Sequence, residues 1–273
     1  MGILNLTPDS FSDGGHYANP SDALPRIEEM MTEGAYIIDI GAESTFGPES
    51  QVSAEVEWGR LEPVLMSLRT RACRGGSNAT PQNADCRGRS SLAMTNPFIS
   101  VDTSKAVVAE KSLELGVQMI NDVTAMRGDQ KMIDVLLRFE PYVCLMFSAD
   151  ETGYATRTNH EYEDVMKTIT AFLRDRTSLL LAAGFPREKI IIDPGLGFFL
   201  SSNTSVSWEV INRLSELKVL GFPILIGPSM KSFLGGEIKD RLQKSLEAAK
   251  RCVENGAGIL RVHEVGEYGF IST

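Results

Sequence analysis

Residues 190 to 199 read IIIDPGLGFF, and this stretch shows the pattern that the rest of the chain repeats. Three isoleucines run directly into Asp193, a proline and two glycines, which predicts a buried strand ending in a carboxylate on a tight loop. The same order, an apolar run followed by a polar residue, recurs at residues 2–5, 36–40, 98–102, 117–122 and 258–263, and more weakly at 143–148 and 223–231. The sequence therefore predicts a series of buried strands, each with a polar side chain at its carboxyl end.

Segments with apolar residues at helical spacing separate these strands, beginning with the one from Ser21 to Gly34. Strands that alternate with helices favour a parallel sheet, because parallel strands need a crossover of a dozen or more residues. We therefore expect a single α/β domain over residues 1–273, a (β/α)8 TIM barrel with its functional site at the carboxyl ends of the strands. An open doubly wound sheet would also alternate, but its GxGxxG fingerprint is missing after the first strand.

The composition limits the classes of partner. The formal net charge is −9 and the isoelectric point is near 5.0, which argues against nucleic acid or an anionic membrane, since both need a basic face. The four cysteines form no CxxC pair and no cluster at zinc spacing, and no window is apolar for long enough to span a bilayer. We expect a soluble cytoplasmic protein with free thiols and small-molecule substrates.

Residues 70–96 interrupt the pattern, because they are rich in Arg, Gly, Ser and Asn and nearly devoid of large apolar residues. Such a stretch cannot bury enough surface to order itself, so we predict a flexible, disordered insertion after the second helix. Met1 already lies in the first predicted strand, and no closing helix is visible after Tyr268. We expect a sequence that is cut short at both ends.

Three short polar residues end predicted strands: Asp102, Asn121 and Asp193. A carboxylate accepts two parallel N–H bonds from an amino-pyrimidinone ring, and a neighbouring Asn both donates and accepts. Three basic residues follow the seventh and eighth strands, where barrels of this kind often hold phosphate: Lys231, Arg261 and His263. Together they predict a phosphorylated or pyrophosphorylated heterocyclic substrate.

Several of these residues also have a plainer interpretation. A strand-end Asp is more often a helix N-cap than a ligand group, and Asp102 before Thr103 and Ser104 could be one. Asp39, near the end of the second strand, could anchor its own loop through backbone N–H groups. Arg261, in contrast, lies within an apolar strand and needs an anionic partner if it is buried.

Seven segments, taken in order, resemble the successive signatures of the dihydropteroate synthase family. They are GILNLTPDSFSDGG at 2–15, DIGAEST at 39–45, SVDTSK at 100–105, IND at 120–122, DPGLGF at 193–198, KSFLG at 231–235 and RVHEV at 261–265. The resemblance implies a (β/α)8 barrel that condenses 6-hydroxymethyl-7,8-dihydropterin pyrophosphate with 4-aminobenzoate. The products would be 7,8-dihydropteroate, a folate precursor, and pyrophosphate.

Carried onto this chain, the resemblance assigns roles to individual residues. Residues that would bind the pterin are Asp102, Asn121, Asp193 and Lys231, with Asp39 counted among the substrate-binding residues. Residues that would bind the pyrophosphate are Arg261 and His263, which act with Lys231 in catalysis, and Asn5, which would also contact a Mg2+ cofactor. Residues that would flank the aminobenzoate are Thr45, Phe198 and Ser229. The family commonly forms homodimers through its late helices, so we expect one here.

The chain departs from the family pattern at three places. In the loop after DIGAEST, Phe46 and Gly47 stand where the family usually has an Arg. Met230 replaces the usual Arg before Lys231, and Phe147, directly after Leu145 and Met146, stands where the family often has a His. The runs at 148–160 and 193–201 are similar to those of the sulfonamide-resistant branch of the family. We hypothesise that Phe46 and Gly47 reshape the pocket so that it discriminates 4-aminobenzoate from sulfonamides.

The resemblance further implies that loops 8–15 and 41–51 close over the site to exclude water. Two alternative functions stay open. A pterin-binding methyltransferase barrel shares the acidic cluster but has no need for the basic residues after the last two strands. An inactive pterin-binding or scaffold protein, which the missing arginines suggest, would bind the pterin ester without turning it over.

Overall fold

A computed structural model describes residues 1–7, 20–74, 97–237 and 240–271. The strands within these ranges are β1 (Gly2–Asn5), β2 (Ile37–Gly41), β3 (Phe98–Asp102), β4 (Met119–Asp122), β5 (Tyr142–Met146), β6 (Ile190–Asp193), β7 (Leu225–Ile226) and β8 (Ile259–Leu260). The helices that follow the first seven strands are α1 (Pro20–Thr32), α2 (Ala54–Arg74), α3 (Ala106–Glu114), α4 (Met132–Phe139), α5 (Val165–Ala182), α6 (Thr204–Asn212) and α7 (Arg241–Glu254). A 3₁₀ helix over Val265–Ile271 follows β8.

The strands form a closed parallel barrel. Strands β1 to β6 pair in chain order, and β7 pairs with β8. Two parallel bridges join these groups, one between Ile192 and Ile224 and one between Gly2 and Val262. At the second seam the Ile3 amide donates to the Val262 carbonyl over 2.9 Å. These contacts complete the ring, and the predicted (β/α)8 barrel is confirmed.

Side chains of the strands pack on two sides. A small apolar cluster inside the barrel contains Met119, Cys144, Ile191 and Leu225. The large cluster between strands and helices contains the residues of the opposite parity, such as Ile120 and Ile192. Because successive strand residues point to opposite faces, every second position of each strand lies inside the barrel. This alternation decides which polar side chains reach the site.

Helix α5 shows how the outer layer is built. The Asp164 side chain caps its first turn by accepting from the amides of Met166 and Lys167. Such a cap stabilises a helix by about 1 kcal/mol. The buried face of the helix includes Ile169 and Leu173, which pack against the barrel. None of the helices in the described part of the chain has the length and apolar character to cross a bilayer.

Helix α2 is longer than the sequence predicted. The predicted insertion starts at residue 70, but the helix continues through Arg74. The reason is that Leu65 and Leu68 pack against the core and residues 69–74 contain neither Gly nor Pro, so the helix propagates. Residues 70–74 are thus helical, and residues 75–96 lie outside the described residues, as does the predicted closing loop at 8–15.

Candidate active site

A polar layer lies directly above the apolar interior of the barrel. Moving two residues along a strand keeps the side chain on the same face, so Met119 is followed by Asn121, Ile191 by Asp193, and Ile259 by Arg261. The sequence places each of these polar residues at a carboxyl end, where the parallel strands share one mouth. The predicted convergence of the strand-end side chains at one mouth is therefore confirmed by the closed barrel.

Arg261 is the centre of this layer. Its Nε donates to Asp39 Oδ2 over 2.6 Å and one terminal nitrogen donates to Asp102 Oδ2 over 2.8 Å. The Asn121 side-chain amide donates to the same Asp39 oxygen over 3.3 Å. Burial alone would lower the pKa of the Arg261 guanidinium, but the two carboxylates raise it above its ordinary value. Arg261 is therefore a permanently charged group whose orientation is already set.

Asp39 lies beneath the mouth and is fully buried. Asp39 accepts a hydrogen bond from Arg261 and so orients the guanidinium. This contact differs from the alternative interpretation, in which Asp39 anchors its own loop through backbone N–H groups. Within the described residues, Asp39 Oδ1 and Asn121 Oδ1 are buried acceptors with no hydrogen-bond partner. Unsatisfied buried acceptors are costly, so a ligand that presents N–H groups here would be bound favourably.

Asp193 and Lys231 occupy the opposite side of the mouth. Asp193 Oδ1 accepts from the Gly195 amide over 2.7 Å, and its other oxygen accepts no hydrogen bond among the described residues. Burial raises the pKa of Asp193 to about 6, against the opposing effects of the Gly195 amide and of Lys231. Burial, with the charge of Arg261, lowers the pKa of Lys231 to about 8. Near pH 7 both groups are mainly charged.

The backbone before Lys231 is held in an unusual conformation. Met230 has a φ of +56°, a region that non-glycine residues rarely adopt. Its amide donates to Ser245 Oγ over 3.0 Å and its carbonyl accepts from Arg241 over 3.1 Å. These two bonds stabilise the turn and direct Lys231 towards the mouth, where its ammonium lies 4.9 Å from the Phe199 ring centroid.

Ser229, on the loop after β7, and His263, after β8, form a pair. Ser229 Oγ accepts the His263 amide over 3.3 Å and lies 3.0 Å from the ring Nδ1. An oxygen that already accepts one proton is well placed to donate its own to Nδ1, which leaves the ring proton on Nε2. Burial, with the charges of Arg261 and Lys231, lowers the pKa of His263 to about 3. The imidazole is therefore neutral at pH 7 and offers a single N–H.

Asn5 and Asp102 face the same corner of the site. A Cβ at Gly41, the residue in register between them, would lie 3.6 Å from Asn5 Oδ1 and 3.6 Å from Asp102 Cβ. Burial raises the pKa of Asp102 to about 7, and Arg261 opposes that rise. The described residues contain no cluster of three acidic, His or Cys side chains that could hold a metal ion alone. Asn5 Oδ1 and the Asp102 carboxylate are the oxygen donors at this corner, and oxygen is the donor type that Mg2+ prefers.

The loops after β2 and β5 are joined at the rim. The Ala155 amide donates to the Thr45 carbonyl over 2.7 Å, and the Gly47 amide donates to the Ala155 carbonyl over 3.0 Å. Phe46, between them, packs on Phe198 with 5.5 Å between ring centroids. Two of the residues predicted to flank the second substrate, Thr45 and Phe198, therefore lie in one aromatic corner that the loops build together.

Lys105 was missed by the sequence reasoning, although it ends the SVDTSK segment. Its ammonium lies 2.8 Å from Glu43 Oε1 and 2.6 Å from Glu57 Oε2. Glu57 is fully buried, and burial raises its pKa. In the sequence, Lys105 is a lone lysine among polar loop residues and looks like a solvent-exposed charge. Only the position of α2, which places Glu57 opposite Lys105, shows that the two residues form an ion pair.

We expect Lys105→Met to lower the free energy of unfolding by about 3 kcal/mol, because a buried Glu57 carboxylate would lose its partner. Urea denaturation followed by circular dichroism measures this change. Lys111→Met, on the exposed face of α3, is the matched control and should change stability little. Adding Glu57→Gln to Lys105→Met should restore part of the loss; equal stability of Lys105→Met and the wild type would show that the ion pair is not structural.

The comparisons with known proteins agree with this site. The model of a family described as pterin binding enzyme matches residues 1–75 and 90–263, so the internal gap in the match, residues 76–89, falls inside the predicted insertion. A dihydropteroate synthase from Neisseria meningitidis serogroup B is 38% identical over 97% of this chain and 87% of its own length. This chain belongs to the dihydropteroate synthase family.

Solved structures of dihydropteroate synthases have the same fold. One from Clostridium difficile, determined in the presence of pteroic acid, is 36% identical with a TM-score of 0.82 over 99% of this chain and 92% of its own. One from Xanthomonas albilineans, with 4-aminobenzoic acid, is 30% identical with a TM-score of 0.79 over 98% of this chain and 88% of its own. The predicted family resemblance is confirmed, and the residues that it implied converge on one barrel mouth.

Proposed function

We propose that this chain performs the reaction after which its family is named. It condenses 6-hydroxymethyl-7,8-dihydropterin pyrophosphate with 4-aminobenzoate to give 7,8-dihydropteroate and pyrophosphate. The observation that carries the proposal is Arg261, a partly buried cation held by Asp39 and Asp102 at the boundary between an acidic pocket and a basic rim. This arrangement suits a ligand with an N–H-rich ring at one end and an anionic leaving group at the other.

The pterin ring binds in the acidic half of the mouth. The oxygen of Asp193 that is left over from its bond to Gly195 accepts N–H groups of the amino-pyrimidinone edge. Asn121 Oδ1, which is buried without a partner among the described residues, accepts another. Lys231, beside Asp193, donates to a ring acceptor. Its charge also opposes the rise in the pKa of Asp193 that burial causes.

The pyrophosphate binds in the basic half. Arg261 supplies a fixed positive charge, and the neutral His263 ring supplies one N–H whose position Ser229 sets. A Mg2+ bound to the substrate phosphates and to Asn5 would add positive charge at the leaving oxygen. Donors that are oriented before the reaction stabilise developing negative charge without reorganising, which is why this half assists the departure of pyrophosphate.

The carbon–oxygen bond to pyrophosphate breaks, its electron pair leaves with pyrophosphate, and the pterin methylene becomes cation-like. The aromatic amine of 4-aminobenzoate then forms the carbon–nitrogen bond and releases a proton to solvent. An aromatic amine is largely unprotonated near pH 7, so no strong general base is required. The loops after β2 and β5 are joined by the Phe46–Ala155 bridge, and closure of these loops over the bound substrates would limit the access of water, which would otherwise capture the cation.

A pyrophosphate-release assay tests the proposal. The expected result is release that requires both the pterin ester and 4-aminobenzoate, with dihydropteroate formed in equal amount. A methyltransferase barrel would release no pyrophosphate, and an inactive binding protein would bind the ester without release. Either result would overturn the proposal. A homodimer through the late helices stays a separate prediction, which light scattering tests.

The rim also supports the hypothesis that this chain resists sulfonamides. Gly47 has a φ of +77°, a conformation that L side chains rarely adopt, so a substitution at Gly47 would strain the Phe46–Gly47 turn. Phe46 is held against Phe198 by this turn and by the bridge to Ala155. A rigid aromatic wall leaves room for a small carboxylate but opposes the bulkier sulfonamide substituent.

We expect weak inhibition of the wild type by sulfamethoxazole, and a fall of about tenfold in the inhibition constant for Phe46→Ala, because the wall is removed. Inhibition of pyrophosphate release at fixed 4-aminobenzoate measures both values. Tyr142→Ala, at the opposite end of the barrel, is the matched control, and its inhibition constant for sulfamethoxazole should equal that of the wild type. Ordinary sensitivity of the wild-type protein would refute the hypothesis.

A further inference from the structure

Arg157 lies on the loop between β5 and α5, beside the aromatic corner. Its guanidinium carbon is 5.6 Å from the ring centroid of Phe46 and 5.9 Å from that of Phe198. Within the described part of the chain, no hydrogen bond and no ion pair engages this guanidinium. Other arginines that face aromatic rings do have such partners: Arg138 pairs with Glu110 and Arg251 pairs with Glu247.

The backbone on both sides of Arg157 is anchored. Ala155 is bonded to the Thr45 carbonyl and the Gly47 amide, and the Thr158 carbonyl accepts from the Ser202 amide over 2.9 Å. The Thr156 hydroxyl donates to Asp150 over 2.5 Å. The loop therefore presents Arg157 above the two rings from a fixed base, although the side chain itself is exposed.

The aromatic corner connects Arg157 to the pterin side of the mouth. Phe198 and Phe199 lie on the loop that follows Asp193, and Phe199 contacts the Lys231 ammonium. Phe46 and Phe198 pack against Phe199 and its apolar neighbours in one cluster. A flat aromatic acid with its amine towards the pterin would thus point its carboxylate outwards, along these rings, towards Arg157.

The loop after β2 lacks the cation that the family pattern has there, because Phe46 occupies its place. We propose that Arg157 binds the carboxylate of 4-aminobenzoate, so that the loop after β5 supplies the charge that the loop after β2 has lost. This inference rests on the proposed function. A guanidinium stacked on aromatic faces is weakly hydrated and presents two parallel N–H groups, which is the geometry that a carboxylate accepts.

Steady-state pyrophosphate release with saturating pterin ester tests the proposal. Arg157→Gln is expected to raise KM for 4-aminobenzoate by about 10- to 100-fold, because a charge-assisted pair is lost. The KM for the neutral analogue 4-aminobenzamide should be the same in the variant and the wild type. Arg157→Lys should recover part of the lost affinity for the acid, and Arg174→Gln, an exposed arginine on α5, is the matched control.

An equal rise in KM for the acid and the amide would mean that Arg157 only supports the aromatic corner, and no rise for either would mean that it has no role in binding. Both results overturn the inference. If the wild type releases no pyrophosphate, the proposed function fails instead. Calorimetric titration of 4-aminobenzoate into the wild type and Arg157→Gln, with pterin ester present, then still decides whether Arg157 binds the carboxylate.

Discussion

Arg261→Met is expected to lower kcat for pyrophosphate release by about 100- to 1,000-fold, the usual effect of removing one oriented donor to developing negative charge. The same change should weaken binding of the pterin pyrophosphate more than binding of the bare pterin, because the guanidinium lies between the ring pocket and the basic rim. Single-turnover kinetics measure the first effect and calorimetry measures the second. An equal loss of affinity for both ligands would contradict the role assigned to Arg261.

The control for Arg261 has to separate catalysis from folding. Arg261→Met leaves the buried Asp39 and the partly buried Asp102 without a cationic partner, which destabilises the fold. Adding Asp39→Asn removes one of these two charges and should restore part of the lost stability, while the activity stays low. Arg261→Lys keeps a charge without the two-pronged geometry, so we expect an intermediate kcat. Recovery of activity by the Asp39→Asn double variant would show that Arg261 acts only by supporting the fold.

Asp193→Asn is expected to raise the Kd for the bare pterin by more than about 100-fold, because two charge-assisted hydrogen bonds to the ring become weaker or repulsive. Burial and the bond to Gly195 hold this carboxylate in place before the ligand arrives, so the substitution changes the chemistry more than the geometry. Fluorescence titration measures the Kd. Asp134→Asn, on the exposed side of α4, is the matched control and should bind the pterin normally.

The pH dependence gives Asp193 a second signature. Its pKa is about 6, so its ionised form prevails above that pH, and pterin affinity should fall as the pH drops through 6 and the carboxylate is protonated. Lys231, with a pKa of about 8, loses its charge as the pH rises through that value, which limits binding on the alkaline side. Asp193→Asn should remove the step near pH 6 and leave any step from Asp102, whose pKa is about 7, and it should move the alkaline limb to lower pH because Asp193 raises the pKa of Lys231. A step near pH 6 that persists in Asp193→Asn would assign it to another group.

The site residues differ in how far the sequence could predict them. Asp102, Asn121, Asp193 and Arg261 were predictable, because each follows an apolar strand and a barrel gathers strand ends. The role of Asp39 was not predictable, because a strand-end Asp that anchors a loop and one that pairs with a distant cation have the same sequence pattern. The end of α2 was also predicted too early, because a polar composition conceals the few apolar residues that keep a helix packed.

The sequence by itself determined the alternation of strand and helix, the side of each strand that is buried, and the polar residues at the strand ends. These features depend on local sequence patterns, because apolar residues recur every two positions along a half-buried strand and every 3.6 positions along a half-buried helix. Only the tertiary structure decided that Arg261 pairs with Asp39, 222 residues away, that Lys105 neutralises Glu57, and that Arg157 lies over Phe46 and Phe198. Such contacts exist only once the barrel has closed, because closure alone brings distant strands and their loops within bonding distance.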